Sequence, residues 1–315
     1  MKNKHLKIIF FGTPEFSNIV LQKLIDSNYK PFLVVTQPDK PTGRKKEIIP
    51  SPVKILAQKH NIPIIQPEKL KNYKLPTTNY QLGIVAAYGK IIPTEILEIP
   101  KYGTLNIHPS LLPKYRGPSP IQATILNKDK KTGVTIMKMD KTMDHGPVIK
   151  SKKLKIKNEK FTYEILGKKL FKIGANLLIE VLPDYISGKI KLKKQADRKA
   201  TYTKIIKRED GLINWNKPAD YIERQLHAYT PWPRIYTFFN GKRLKVLKLE
   251  ISEYTIGTPG VPIVSGQAIK YDDGFAVQTS NGLVIPSIVQ LEGKNTQTAK
   301  EFLNGHPKII GSTLN

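Results

Sequence analysis

Strand-like and helix-like runs alternate through residues 6–188, and that alternation restricts the chain to a sheet with crossover helices. Leu6-Lys7-Ile8-Ile9-Phe10-Phe11 reads as a strand that enters Gly12-Thr13-Pro14. There Thr13 is placed to cap a helix and Pro14 to open its first turn, with Ile19, Leu21, Leu24 and Ile25 as apolar positions. A second strand, Phe32 to Val35, leads to a polar loop from Gln37 to Pro50, and Ser51-Pro52 then opens a helix carrying Val53, Leu56 and Ala57. Gly83 to Ala87 is short and wholly apolar, the pattern of a strand buried on both faces. Gly103 to Ile107 and Gly133 to Met139 read as further strands. Leu166, Leu170, Ile173, Leu177 and Val181 recur every three or four residues and predict a long helix ending before Pro183. The expected fold class is α/β, a Rossmann-like domain over 1–188 with a mostly parallel sheet.

The pattern changes after that. Residues 189–207 hold Lys191, Lys193, Lys194, Arg198, Lys199, Lys204 and Lys207 with little periodicity, and read as a basic linker. From Arg234 onward, short strands meet at Asn240-Gly241, Asp273-Gly274 and Asn281-Gly282, which predicts hairpins and a smaller C-terminal β-barrel, OB-like, over 208–315. Trp215 and Trp232 read as core residues. Lys and Arg number 52 against 25 Asp and Glu, giving +27, a field that draws polyanions. Solvated surface lysine produces the same excess, so charge alone does not name an RNA partner. With no cysteine, disulfides, zinc-thiolate sites and cysteine nucleophiles are excluded. No run reaches the ~18 apolar residues of a membrane helix. The first strand begins too near Met1 for a signal peptide, so a cytoplasmic protein is expected.

Two segments carry chemistry. Asn106 and His108 lie two apart at the carboxyl end of a strand, where parallel sheets place ligand sites, so their side chains share a face. An amide donor and an imidazole there suit an oxygen gaining negative charge. Taken alone, an Asn-x-His pair is also what a hydrogen-bonded turn contains. The second segment, Met139 to Gly146, places Asp140, Asp144 and His145 after another strand, where they can face the first. Gly12-Thr13-Pro14 lacks the G-x-G-x-x-G spacing of a dinucleotide site, and no metal-ligand spacing occurs.

The run Asn106-Ile107-His108-Pro109-Ser110-Leu111-Leu112-Pro113, continued by Lys114-Tyr115-Arg116-Gly117, resembles the signature of the formyltransferases that use 10-formyltetrahydrofolate. Phe11 to Phe16 and Ala86 to Lys90 resemble loops of the same family, and the likeness runs nearly end to end. It implies a catalytic centre of Asn106, His108 and Asp144 without a metal. Ser110, Leu111, Leu112, Pro113, Ala87, Tyr88 and Gly89 would contact the folate. His145-Gly146 departs from the Thr-Gly of many relatives, although the aspartate is retained. Gln37 to Lys46 resembles the insertion with which the tRNA-directed branch grips the acceptor end, and Arg44, Lys45 and Lys46 would touch tRNA. Pro231-Trp232-Pro233 matches that branch's second domain. The resemblance thus implies formyl transfer to the α-amino group of methionyl initiator tRNA by a monomer. Sugar nucleotides and glycinamide ribonucleotide are the acceptors elsewhere in the family.

Overall fold

A computed structural model describes residues 6–42, 47–157, 160–253 and 264–315. The chain divides into two compact units, Met1–Ile121 with Lys130–Lys157 and Ile165–Lys204, and Gln122–Asp129 with Asn158–Glu164 and Ile205–Asn315.

In chain order the first elements are β1 (Ile8–Gly12), α1 (Glu15–Ile25), β2 (Leu33–Val35), β3 (Lys40–Thr42), β4 (Glu47–Ile49), α2 (Pro52–Lys59), β5 (Ile64–Ile65) and β6 (Leu82–Ala86). There follow α3 (Thr94–Leu97), β7 (Thr104–His108), α4 (Pro120–Leu126), β8 (Lys131–Lys138), β9 (Val148–Lys155) and α5 (Tyr163–Ile186). The main sheet runs β5-β2-β1-β6-β7-β8-β9. It is parallel from β5 to β7, and β8 and β9 are antiparallel additions. Every residue of β1 and β6 is buried, as continuous apolar runs in the middle of a parallel sheet require. On one face Ile9, Phe11, Leu33, Val35, Tyr80, Val85 and Tyr88 form a single core cluster. On the other, Gly174 of α5 lies so close to Ile107 that a Cβ there would meet the isoleucine at 2.6 Å. The edge strand β9 exposes Lys150, Lys152 and Lys153, which blunts it against pairing with another chain.

Three local expectations shift. Thr13 does not cap α1, whose N-cap is Pro14 without a side-chain bond. Instead Thr13 Oγ1 donates to Tyr88 O at 3.0 Å, so its hydroxyl tethers the loop after β6. Helix α5 continues through Pro183 to Ile186. Proline there sits in the last turn and forfeits only the bond its missing N–H would have made to Ile179. Within the polar loop, β3 and β4 pair as an antiparallel hairpin. Ser51 does cap α2, accepting from Lys54 N at 3.1 Å while its hydroxyl also meets Thr36 Oγ1 at 2.8 Å. Ser51→Ala is therefore expected to cost about 1–2 kcal/mol in urea denaturation, the upper part of the range for a lost cap because a buried hydroxyl also loses its partner.

The second unit contains α6 (Ala219–Tyr229), β10 (Ile235–Phe239), β11 (Lys242–Ser252), β12 (Ala268–Tyr271), β13 (Gly274–Gln278), β14 (Leu283–Leu291), β15 (Thr296–Thr298) and α7 (Ala299–Gly305). Its antiparallel sheet runs β10-β11-β14-β13-β12, with β15 on β14. The β10–β11 turn is Asn240-Gly241, with φ of 49° and 71°, the left-handed pair a two-residue hairpin demands. Trp215 is core, and its indole N–H donates to Thr237 Oγ1 at 3.1 Å. Trp232 is 55% exposed and does not join the core. Flanked by Pro231 and Pro233, it lies in the short stretch between α6 and β10, outside both elements whose faces are buried. Among the described residues no helix is long and apolar enough to cross a membrane.

Candidate active site

Strand β7 delivers the first two side chains. Its central register places Asn106 opposite Met137 and His108 opposite Thr135 on β8. Because strand side chains alternate, Asn106 and His108 emerge on one face while Ile107 packs on the other. Asp144 arrives from the loop between β8 and β9. Asn106 Nδ2 donates to Asp144 Oδ1 at 3.3 Å, and His108 Nδ1 lies 3.6 Å from the same oxygen. The three residues assigned from the sequence are therefore one cluster. His108 is almost fully buried and the Asp144 side chain is 12% exposed.

Two backbone groups complete the cluster, and neither was singled out from the sequence. Gly117 N donates to Asp144 Oδ2 at 2.8 Å. Gly117 has φ 106°, and a Cβ there would stand 2.6 Å from Thr203 O, so only glycine brings its N–H to the carboxylate. Tyr115 O lies 2.9 Å from His108 Nε2. A carbonyl only accepts, so Nε2 carries a hydrogen, and Nδ1 is the ring nitrogen that faces Asp144.

The segment after His108 is built as a turn. Ser110 Oγ donates to Lys114 O at 2.6 Å, and Thr135 Oγ1 donates to Ser110 O at 2.8 Å. Leu112 N donates to Thr135 Oγ1 at 3.2 Å. The Ser110 hydroxyl is thus committed to the loop, while Leu111, Leu112 and Pro113 stay half-buried. On the neighbouring strand's exit, Ala87 and Gly89 take φ of 46° and 78°. The Tyr88 side chain turns inward, edge-on to Phe11 with centroids 5.8 Å apart. Burial pushes its phenol up to about 12. Any ligand contact at Ala87, Tyr88 and Gly89 must then use backbone or the Ala87 methyl group. Gln37 Nε2 donates to Tyr88 O at 2.8 Å, which ties the base of the polar loop to this turn. Arg44, Lys45 and Lys46 lie outside the described residues.

The basic stretch after α5 packs on the first unit as far as Lys204. Lys193 pairs with Val148, Thr201 Oγ1 accepts from Tyr115 N at 2.8 Å, and Tyr202 pairs with Arg116. Arg116 is buried to 2% exposure. It donates through Nε to Gln195 at 3.0 Å, through Nη1 to Tyr202 at 3.3 Å and through Nη2 to Asp197 at 2.8 Å. His145 sits between carboxylates, 2.9 Å from Asp140 and 3.5 Å from Asp197. The hydrogen bond from Arg116 holds the Asp197 carboxyl below the usual aspartate value of 3.8. A depressed pKa adds stability above 3.8 that is lost as pH falls through the folded-state value. The difference in Tm between wild type and Asp197→Asn should accordingly be constant near neutrality and shrink as melts are taken into acid.

Asn106 and His108 present N–H donors beside one carboxylate, and half-buried Leu111, Leu112 and Pro113 follow on the same segment. That donor set fits a formyl carbonyl carried on a flat, largely apolar ring system. The formyl transferase family matches residues 6–182, and the formyl transferase C-terminal domain matches residues 205–307. The chain belongs to the formyl transferase family. Within it, the chain is 43% identical over 302 residues to the methionyl-tRNA formyltransferase of Thermodesulfovibrio yellowstonii, covering 95% of each chain. It is 42% identical over 317 residues to that of Dictyoglomus turgidum, covering 97% of this chain and 98% of the other. Among solved structures, the fold resembles an N-formyltransferase from Helicobacter canadensis in complex with folinic acid and dTDP-3-aminofucose. There the TM-score is 0.63 at 20% identity, over 89% of this chain and 98% of that one.

Proposed function

We propose that this chain transfers the formyl group of 10-formyltetrahydrofolate to the α-amino group of methionyl initiator tRNA, for translation initiation. One observation carries the reading. Asn106, His108 and Asp144 meet at the carboxyl end of β7, in a chain that matches the methionyl-tRNA formyltransferases nearly end to end. The first unit performs the chemistry, and the second, with the basic stretch before it, holds the tRNA. The setting is the cytoplasm and the working form a monomer.

Bound 10-formyltetrahydrofolate supplies an electrophilic formyl carbon whose oxygen becomes negative as the methionyl amine attacks. An α-amino group titrates near ~8, so part of it is unprotonated at neutral pH and needs no strong base. Asn106 has one amide N–H on Asp144 and the other free for that oxygen. His108 donates from Nδ1 when the ring carries both protons, since Nε2 is held by Tyr115 O. Asp144 stabilises the charged ring and is the carboxylate placed to take the proton that the amine sheds as its bond to the formyl carbon forms, and to return it to the folate nitrogen as the old C–N bond breaks and tetrahydrofolate leaves. Leu111, Leu112 and Pro113 line the apolar side, with the 87–89 backbone opposite in role: polar edges rather than surface.

On the acceptor side, Arg44, Lys45 and Lys46 engage the tRNA end. Arg44→Ala is expected to raise KM for charged tRNA about tenfold and to leave the folate Kd unchanged. The acceptor itself is tested by presenting charged initiator tRNA beside sugar-nucleotide amines and glycinamide ribonucleotide. Transfer to tRNA at a far higher kcat/KM supports the reading, and preference for a small amine overturns it.

A further inference from the structure

We propose that Gln195 is a positioning residue for Asp144, and that the segment reaching it belongs to the transfer machinery rather than leading away from it. The inference rests on the reading of Asp144 as part of the catalytic centre.

Gln195 is 6% exposed in a stretch otherwise crowded with lysine. Its Nε2 donates to Asp144 O at 2.9 Å and to Gly146 O at 2.8 Å, and its Oε1 accepts from Arg116 Nε at 3.0 Å. The amide has a single workable orientation. Guanidinium nitrogens only donate and carbonyls only accept, so a flipped amide would set like against like at all three contacts.

The target of these bonds is an unusual backbone. Asp144 has φ 50°, in the left-handed region that a non-glycine residue keeps only when its surroundings hold it there. By bonding the carbonyls on either side of His145, Gln195 clamps the turn that aims the Asp144 carboxylate. Its other end grips Arg116, next to the Gly117 N–H that binds Asp144 Oδ2. One side chain therefore ties the backbone of the aspartate turn to the loop that receives its carboxylate. Asp197 and Tyr202 hold Arg116 from the far side, so the clamp is anchored at both ends.

Gln195→Met keeps the volume and removes the amide. It is expected to lower kcat for formyl transfer about 10–100-fold, the scale of a displaced catalytic group, with KM for folate and tRNA each within about threefold. A merely structural glutamine could lower activity too, so the deciding readout is a double-mutant cycle. In an Asp144→Ala background, followed by single turnover, Gln195→Met should change the rate by less than about twofold, because the group it aims is gone. An equal loss in both backgrounds, or a Gln195→Met kcat within twofold of wild type, overturns the proposal. Should Gln195→Met fail to fold, Gln195→Asn, whose amide falls one methylene short of the two carbonyls, carries the same comparison. If Asp144→Ala alone costs nothing, the reading of the centre falls and takes the proposal with it. If Asp144→Ala is costly and Gln195→Met is not, only the positioning role falls.

Discussion

His108→Ala is expected to lower the single-turnover rate of formyl transfer about 10²–10³-fold, the range for removing one preorganised donor from a developing oxyanion. The ring is fixed by Tyr115 O on Nε2, which leaves Nδ1 directed to the side of Asp144, 3.6 Å from Oδ1, so its donor is aimed before substrate arrives. Such preorganisation acts on the transition state, and KM for both substrates should move little beside kcat. Alanine also removes the buried hydrogen bond between Nε2 and Tyr115 O, which costs about 0.5–1.5 kcal/mol of stability. Rates must therefore be compared at a temperature well below the variant's Tm. A His108→Ala protein that is fully folded and turns over at near the wild-type rate would remove the imidazole from the mechanism.

Gly146→Ala is expected to be nearly as damaging without touching a reacting group. A Cβ at Gly146 would stand 1.9 Å from Lys138 O, a backbone atom. Lys138 cannot retreat freely, because its N–H donates to Pro147 O at 3.0 Å and its strand is paired on both sides. The turn carrying Asp144 has to move instead, by about 1 Å, and a displacement of that size at a catalytic group can cost 10²-fold in kcat. Overpacking of this kind also costs about 1–3 kcal/mol. Measured together, kcat should fall much further than the change in Tm would suggest. Wild-type turnover in Gly146→Ala would mean that the position of the Asp144 loop does not matter.

The parts of the fold legible in the sequence are those where one local signal decides the outcome. The runs at 6–11 and 83–87 read as strands and are found at Ile8–Gly12 and Leu82–Ala86, and Asn240-Gly241 closes its hairpin because both residues accept left-handed backbone. Asn106 and His108 were visible because period two puts them on one face of a strand. That Asp144 meets them was implied by resemblance, since no spacing rule spans a separation of 38 positions from Asn106. Gln195 gave no signal at all. It follows Lys193 and Lys194, and its burial arises from tertiary contacts with the 144–146 turn and Arg116. Thr13 misled in another way. It carries a hydroxyl where a cap is plausible, and spends it on the Tyr88 carbonyl, a contact that the sequence does not reveal. For Tyr88 the turn after the strand was readable, but the inward direction of its ring depends on the Phe11 side chain on the next strand.

The central claim is that the cluster of Asn106, His108 and Asp144 performs the transfer, and one measurement bears on it most directly. Single-turnover transfer from 10-formyltetrahydrofolate to methionyl initiator tRNA is followed at saturating concentrations, for wild type and for the Asn106→Ala, His108→Ala, Asp144→Ala triple variant. The expected result is formyl-methionyl-tRNA from the wild type and a rate at least about 10³-fold lower from the triple variant, with tRNA binding retained. A folded triple variant that transfers within tenfold of wild type would contradict the account.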